Sequence, residues 1–125
     1  MLKLFNGGNG IFYLLWGIWG TIRPKDSAKL MGWDHNSLLG LNELRATWAA
    51  FAALGLGILW SIYRNLDQRP ITAALVLATG GLFVGRAISI AIDKSGSGRT
   101  YMELGVELLV VLLGLYLLKS MRRTS

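Results

Sequence analysis

The sequence contains no cysteine, one histidine and two prolines, and only 16% of its residues are charged. The absence of cysteine excludes disulfides, thiolate nucleophiles and cysteine-ligated metal sites. One histidine cannot form a multi-histidine metal site by itself. The chain also has no HExxH sequence, no phosphate-binding glycine loop and no nucleophile elbow. We therefore expect a protein that is not an enzyme and that uses no cofactor and no metal.

Apolar residues, in contrast, make up 53% of the 125 residues. A single soluble domain of this length could not bury so much apolar surface. The formal net charge of +6 would suit a nucleic-acid partner, but the basic residues lie mostly at the ends of apolar runs, as is typical of contact with lipid headgroups. We expect the lipid bilayer as partner and no nucleic acid.

Four apolar segments have about the length needed to cross roughly 30 Å of hydrocarbon. Backbone amides in a bilayer must be hydrogen-bonded within the segment, so each segment is predicted to be helical, and no period-2 alternation favours a β-barrel. The sequence predicts an all-α integral membrane protein, an antiparallel bundle of four transmembrane helices forming one domain over residues 1–125. The predicted spans are residues 4–22, 38–63, 71–92 and 101–118.

The segment between the first two spans is the longest connection. Pro24 suits the first position of a helix, and residues 24–31 are predicted to form a short interfacial helix, with Trp33 as a headgroup anchor. Lys3 followed by an apolar run resembles a signal peptide, but no small-x-small cleavage site follows. The first segment is therefore predicted to be a retained span.

The distribution of basic residues predicts the orientation. An even number of spans puts both termini on one side, and that side carries six loop lysines and arginines against five opposite, which favours cytoplasmic termini. The residues counted are Lys3, Arg64, Arg69, Lys119, Arg122 and Arg123 on the terminal side, and Arg23, Lys25, Lys29, Lys94 and Arg99 on the other.

Polar and charged side chains lie at the start of the second span, the end of the third and the start of the fourth. Antiparallel threading would bring them to the same end of the bundle, and their helical spacings put each set on one face. A charge at the centre of a membrane helix costs about 2.5 to 3.5 kcal/mol, so these faces should turn toward each other or toward water. The predicted network comprises Asn42, Glu43, Arg45, Arg86, Ser89, Asp93, Glu103 and Glu107.

Three interpretations of this network remain open. Ion pairs that fix helix register would suit a structural or accessory membrane protein. A polar cavity that binds an ion, a proton or a small polar solute would suit a transporter-like module, which at this length would have to form a homo-oligomer or join a larger membrane complex. Carboxylates beside an apolar lateral opening would suit a lipid-modifying enzyme.

Small and aromatic residues predict how the helices pack. Glycines on the first and third spans, including Gly17, Gly81 and Gly85, would let helices approach closely inside the bundle, with oligomer contacts as the alternative. Tryptophans near the predicted span ends are expected to anchor at the membrane interface, with a cofactor or aromatic cage as the alternative. They are Trp16, Trp19, Trp33, Trp48 and Trp60.

Three short motifs resemble those of a known family. They are NELRA at residues 42–46, GRAIS at residues 85–89 with Asp93 downstream, and Glu107 followed by leucine in the last span. In combination, over nearly the whole chain, they resemble the bacterial membrane-protein family described as domain of unknown function 4345. Alanines stand at 49 and 50 where the family has glycines. The resemblance implies a four-helix domain of the bacterial cytoplasmic membrane without an assigned activity. It gives weight to Glu43, Arg45, Arg86, Asp93 and Glu107.

Overall fold

The computed structural model of the chain describes residues 1–33 and 37–122. His35 and Arg123, the latter counted for the orientation, lie outside the described residues. The described chain is all helical and contains no strand, as predicted. Its five helices are α1 (Leu2–Ile22), α2 (Pro24–Met31), α3 (Leu38–Tyr63), α4 (Arg69–Asp93) and α5 (Gly98–Arg122).

Three of these helices, α3, α4 and α5, are long and apolar enough to cross a membrane. Each has 25 or 26 residues, which at about 1.5 Å per residue exceeds the roughly 30 Å of a bilayer's hydrocarbon. The prediction of an all-helical chain with helices suited to a membrane is therefore confirmed for these three helices. The first helix, α1, has 21 residues but does not belong to this group, because asparagine and glycine dilute its apolar residues.

Local sequence explains several helix ends. Pro24 begins α2, where the missing amide proton costs no hydrogen bond. The helix ends at Gly32, whose φ of 70° lies in the left-handed region that glycine adopts without strain. At the start of α3 the Ser37 hydroxyl accepts a hydrogen bond from the Gly40 amide at 2.9 Å, an N-cap. These ends hold α2 as a separate short helix between α1 and α3.

The chain divides into two compact units, and the first comprises Asn6–Leu66. In this unit α1 and α3 run antiparallel, because residues that rise along α1 meet residues that fall along α3. A Cβ placed on Gly10 would lie 3.3 Å from the Gly55 oxygen, and one placed on Gly17 would lie 2.7 Å from the Trp48 oxygen. Glycine on α1 thus allows the two backbones to touch, as the predicted close approach requires.

Trp48 lies at the centre of an aromatic cluster in this first unit. Its side chain is 1% exposed. Trp33 stacks on it at a centroid distance of 5.7 Å, and Trp16 meets it edge-on at 6.2 Å. The prediction that Trp48 is an interfacial anchor is therefore wrong, because its ring fills the space that Gly20 leaves open on α1.

The second unit comprises Met1–Phe5 with Asp67–Ser125, and its described part contains α4 and α5. These helices pack antiparallel: Val76 lies against Gly114, whereas Arg86, further along α4, contacts the earlier Glu107 on α5. Gly81 and Gly85 were predicted to pack closely against another helix. That prediction is wrong for the described chain, because a Cβ on either glycine would meet no described atom within 4 Å.

Candidate functional site

Arg86 occupies the centre of the charged network between α4 and α5. Its Nη1 lies 2.7 Å from Oε2 of Glu103, and its Nε donates a hydrogen bond to Oε1 of Glu107 at 2.8 Å. The two glutamates are four residues apart and therefore on one face of α5. A single guanidinium thus contacts both carboxylates across the helix interface, using its planar set of donors.

Glu103 also contacts a second arginine. Arg99 Nε donates to Glu103 Oε1 at 3.2 Å, within the first turns of α5. The charged groups therefore alternate in the order Arg99, Glu103, Arg86, Glu107. These four residues are the charged network of the second unit. Arg99 was predicted only as a loop charge, although its spacing of four residues from Glu103 is the spacing of a helical ion pair.

The network combines balanced charge with partial burial. Two arginines face two glutamates, and the exposed fraction falls from 30% for the Arg86 side chain to 12% for that of Glu107. One oxygen is left over: Glu107 Oε2 is buried and accepts no hydrogen bond from a described residue. Burying an unpaired carboxylate oxygen is costly, so this atom is where a further hydrogen-bond donor would bind most favourably.

Ser89 and Asp93 form a separate polar group at the end of α4. The Ser89 hydroxyl donates to Asp93 Oδ2 at 3.3 Å and shares a 2.9 Å hydrogen bond with the Ser95 hydroxyl in the following turn. Asp93 makes no ion pair with a described residue. Its side chain is exposed.

The remaining predicted site residues, Asn42, Glu43 and Arg45, belong to the first unit. Arg45 donates from Nε to the backbone oxygen of Thr21 at 3.0 Å, so it contributes a hydrogen bond to the last turn of α1. The side chains of Asn42 and Glu43 are exposed on α3 and have no hydrogen bond to a described residue. Among the described residues, the ion pairs made by predicted site residues therefore lie within the second unit.

The turn before α4 holds a titratable group outside the long apolar helices. Asp67 Oδ1 accepts a hydrogen bond from the Arg69 amide at 3.1 Å and another from Arg69 Nε at 3.3 Å. These hydrogen bonds lower the pKa of the Asp67 carboxyl, the backbone one most. The carboxylate in turn holds the start of α4.

The described side chains offer no metal site. No group of three or more histidines, aspartates or glutamates stands close enough together to hold a metal ion within residues 1–33 and 37–122. Paired with arginines, Glu103 and Glu107 suit recognition of charge and hydrogen-bonding groups better than metal coordination. The arrangement can fix two helices relative to each other, and its free Glu107 oxygen can accept one further donor.

Comparison with known proteins identifies the family of this chain. No curated protein and no solved structure matches the chain. A family model described as domain of unknown function (DUF4345) matches residues 1–118, a range that includes α1 to α4 and most of α5, with the entire charged network. Because this match covers far more than half of the sequence, the chain belongs to the DUF4345 family.

Proposed function

We propose that this chain is a structural or accessory protein of the bacterial cytoplasmic membrane, an antiparallel four-span bundle whose charged network clamps α4 to α5. The observation that carries the proposal is the contact of Arg86 with both Glu103 and Glu107. Each charge of this network has a partner of opposite sign. Such an arrangement stabilises one helix register and leaves no cation available for a ligand's acceptor groups.

The fourth span in this proposal is α1. At 21 residues it is about 31 Å long, enough to cross the hydrocarbon. Gly10 and Gly17 lie against the backbone of α3, and close contact through glycine is one way in which membrane helices associate. Packed in this way, α1 turns its less apolar face toward α3 and needs less apolar surface than the other three helices.

Orientation and partners follow from the charge pattern. The excess of loop lysines and arginines on the terminal side favours cytoplasmic termini. The bilayer is the principal partner, and the exposed apolar side chains on every long helix suit contact with lipid. A homo-oligomer or a larger membrane complex is the setting in which an accessory role would operate. We propose neither an enzymatic role nor a nucleic-acid partner.

Energetics favour a clamp between helices inside the membrane. An unpaired charge at the centre of a membrane helix costs about 2.5 to 3.5 kcal/mol. Removal of one partner from a buried pair costs about 3 to 5 kcal/mol, because it leaves the other charge uncompensated. The 30% exposure of Arg86 reduces these figures here. The ion pairs of Arg86 therefore favour one register of α4 against α5, because any other register would leave a charge without its partner.

The test is a double-mutant cycle on the thermal stability of the purified full chain in detergent. The variants are Arg86→Ala, Glu107→Ala and the combination, each with and without a panel of small ions, metabolites and lipids. A clamp predicts that both single variants lose stability, that the double variant recovers part of it, and that no ligand stabilises the wild type selectively. Normal stability in all three variants would contradict the clamp.

A second candidate, a binding module for a proton or a small polar solute, is favoured by one observation. Glu107 Oε2 is buried and has no hydrogen-bond partner among described residues. A ligand donor placed there would remove the cost of the unpaired atom. In the same assay this candidate predicts a compound that raises the melting temperature of the wild type but not of Glu107→Ala. The matched control is Glu43→Ala, which removes an exposed carboxylate from the first unit.

A further inference from the structure

The short helix α2 presents two different faces. Pro24, Ser27 and Ala28 are buried, and the helix packs on α3. The Ser27 hydroxyl donates to the Pro24 oxygen at 2.9 Å, so the buried face satisfies its own polar group. Lys25 and Lys29, one turn apart, are exposed on the opposite face. The helix is thus held against the protein with a basic surface outward.

The positive charge on this outward face is not neutralised within the described chain. The acidic residue of α2, Asp26, pairs with Arg23 at 3.3 Å. Lys25 and Lys29 form no ion pair with a described residue. Arg45, whose Nε reaches the backbone of Thr21, adds a further guanidinium near the junction of α1 and α2. The result is a concentrated basic patch beside a short helix.

Apolar side chains accompany the basic patch. Leu30 and Trp33 are 50% and 39% exposed. Trp33 is nevertheless held in place, because its ring stacks on buried Trp48 and its backbone amide donates to the Ala28 oxygen at 2.8 Å. The helix lies at the end of the antiparallel pair where α1 ends and α3 begins. Basic and apolar groups side by side at a span end fit a membrane interface.

We infer that the outward face of α2, with Lys25 and Lys29 as its charged groups, binds the headgroups of anionic phospholipids. The inference rests on the proposed insertion of α1 and α3 in the membrane, which places α2 at headgroup level. Each lysine near an anionic surface strengthens attraction about fivefold, through charge alone. Leu30 and Trp33 enter the upper acyl region beside them, and this combination selects a lipid over a soluble phosphate.

The absence of cysteine allows a site-specific test. The full-length Leu39→Cys variant carries a donor fluorophore on an exposed residue in the first turn of α3, close to α2, and is reconstituted in phosphatidylcholine nanodiscs. The nanodiscs contain a trace of one lipid that carries the acceptor fluorophore on its acyl chain. This labelled lipid is phosphatidylglycerol in one preparation and phosphatidylcholine in the other. We expect several-fold stronger energy transfer to the phosphatidylglycerol label, falling to the phosphatidylcholine level in the K25Q/K29Q background. Salt at 1 M should reduce the preference, because the screening length falls from about 10 Å at 0.1 M to about 3 Å.

The matched control is K94Q/K119Q, which removes two exposed lysines from the second unit and should keep the preference. Equal transfer to both lipids in the parent, or a full preference in K25Q/K29Q, would overturn the inference. So would loss of the preference on adding soluble glycerol phosphate at a concentration equal to that of the lipid. Failure of the protein to enter nanodiscs would instead contradict the proposed membrane function, so the two failures are distinguishable. Thermal melting of each variant confirms that it is folded.

Discussion

Two kinds of contact hold the helices together within their pairs. The contacts between α1 and α3 differ from those between α4 and α5. Glycines on α1 meet the backbone of α3, where a Cβ on Gly17 would lie 2.8 Å from the Cα of Ala52. In the other pair, Gly114 on α5 meets the side chain of Val76 on α4. Most of the specific polar contact there is made by Arg86 with the two glutamates of α5.

This difference matters for how each pair tolerates change. Backbone contact depends on the absence of a side chain on glycine. An added methyl group breaks the contact, because the backbone that it meets cannot rotate away. An ion-pair network depends on the presence of groups, so it fails when a charge is removed, and Gly114 in the same pair of helices meets a side chain, which can rotate away. The first pair should therefore be the more sensitive to an added methyl group, and the second to charge neutralisation.

The largest effect should come from adding a methyl group in the first pair. Gly17→Ala places a Cβ against the backbone of Trp48 and Ala52, and we expect a loss of about 3 kcal/mol of stability, at the upper end of the usual cost of overpacking. Gly85→Ala is the matched control, because its Cβ meets no described atom within 4 Å and alanine is the better helix former. Thermal unfolding in detergent measures both variants. Equal stability of the two would show that backbone contact does not hold α1 to α3.

The next effect should come from neutralising a charge in the second pair. Glu103→Gln weakens the contacts with both Arg86 and Arg99, and we expect a loss of about 2 kcal/mol, in the range of hydrogen bonds to charged groups. Glu43→Gln makes the same chemical change on an exposed residue of α3 and should cost less than about 0.5 kcal/mol. Chemical or thermal unfolding of the two variants compares them directly. A larger loss for Glu43→Gln would reverse the assignment of charge to the second pair.

A smaller effect is expected at the edge of the same network. Arg99→Gln removes an ion pair within one helix, between residues four apart. Such pairs contribute about 0.3 to 0.5 kcal/mol, so we expect a loss of about this size. Arg86→Gln, measured alongside, should lose several times more because it removes the contact between helices. Equal losses of stability in Arg99→Gln and Arg86→Gln would mean that the network stabilises α5 itself and does not join it to α4.

The smallest effect concerns pH and the start of α4. The hydrogen bonds that the Asp67 carboxylate accepts from Arg69 lower the pKa of Asp67 in the folded protein. The resulting stability is complete above the ordinary aspartate pKa of about 3.9 and is lost as pH falls through the lower folded pKa. The melting temperature of wild type minus that of Asp67→Asn should therefore be positive at pH 5 and shrink below pH 4. A difference that grows as pH falls would contradict this sign.

Much of the fold could be predicted from sequence, because apolar segment length and composition directly determine helicity in a membrane. The family assignment was also correct, since the motifs at residues 42–46 and 85–89 lie within the matched range. The burial of Trp48 could not be predicted, because it depends on Gly20 leaving space on another helix. Position near a span end gives no information about such a partner.

The charged site shows the same limit. The spacing of Glu103 and Glu107 put both on one face of α5, and antiparallel threading suggested Arg86 as their neighbour. The partner of Arg45 is a backbone oxygen, that of Thr21, which no pattern of side chains reveals. Gly81 and Gly85 carry a small-xxx-small pattern without a close neighbour in the described chain, because the pattern permits close approach but does not cause it. The role of the network stays a prediction.

The most direct test of the clamp between α4 and α5 is exchange of its two charges. The exchange is made in the Glu103→Gln background, because Arg86 contacts both Glu103 and Glu107 and the neutral glutamine leaves residue 107 as the only charged partner of residue 86 across the two helices. In this background R86E alone and E107R alone each place like charges together, whereas R86E combined with E107R restores a pair of opposite charges. The measurement is the melting temperature of the purified full chain for all three variants and for Glu103→Gln itself. The clamp predicts that both single exchanges melt well below Glu103→Gln and that the combined variant recovers most of the loss. A combined variant no more stable than the worse single variant would contradict it.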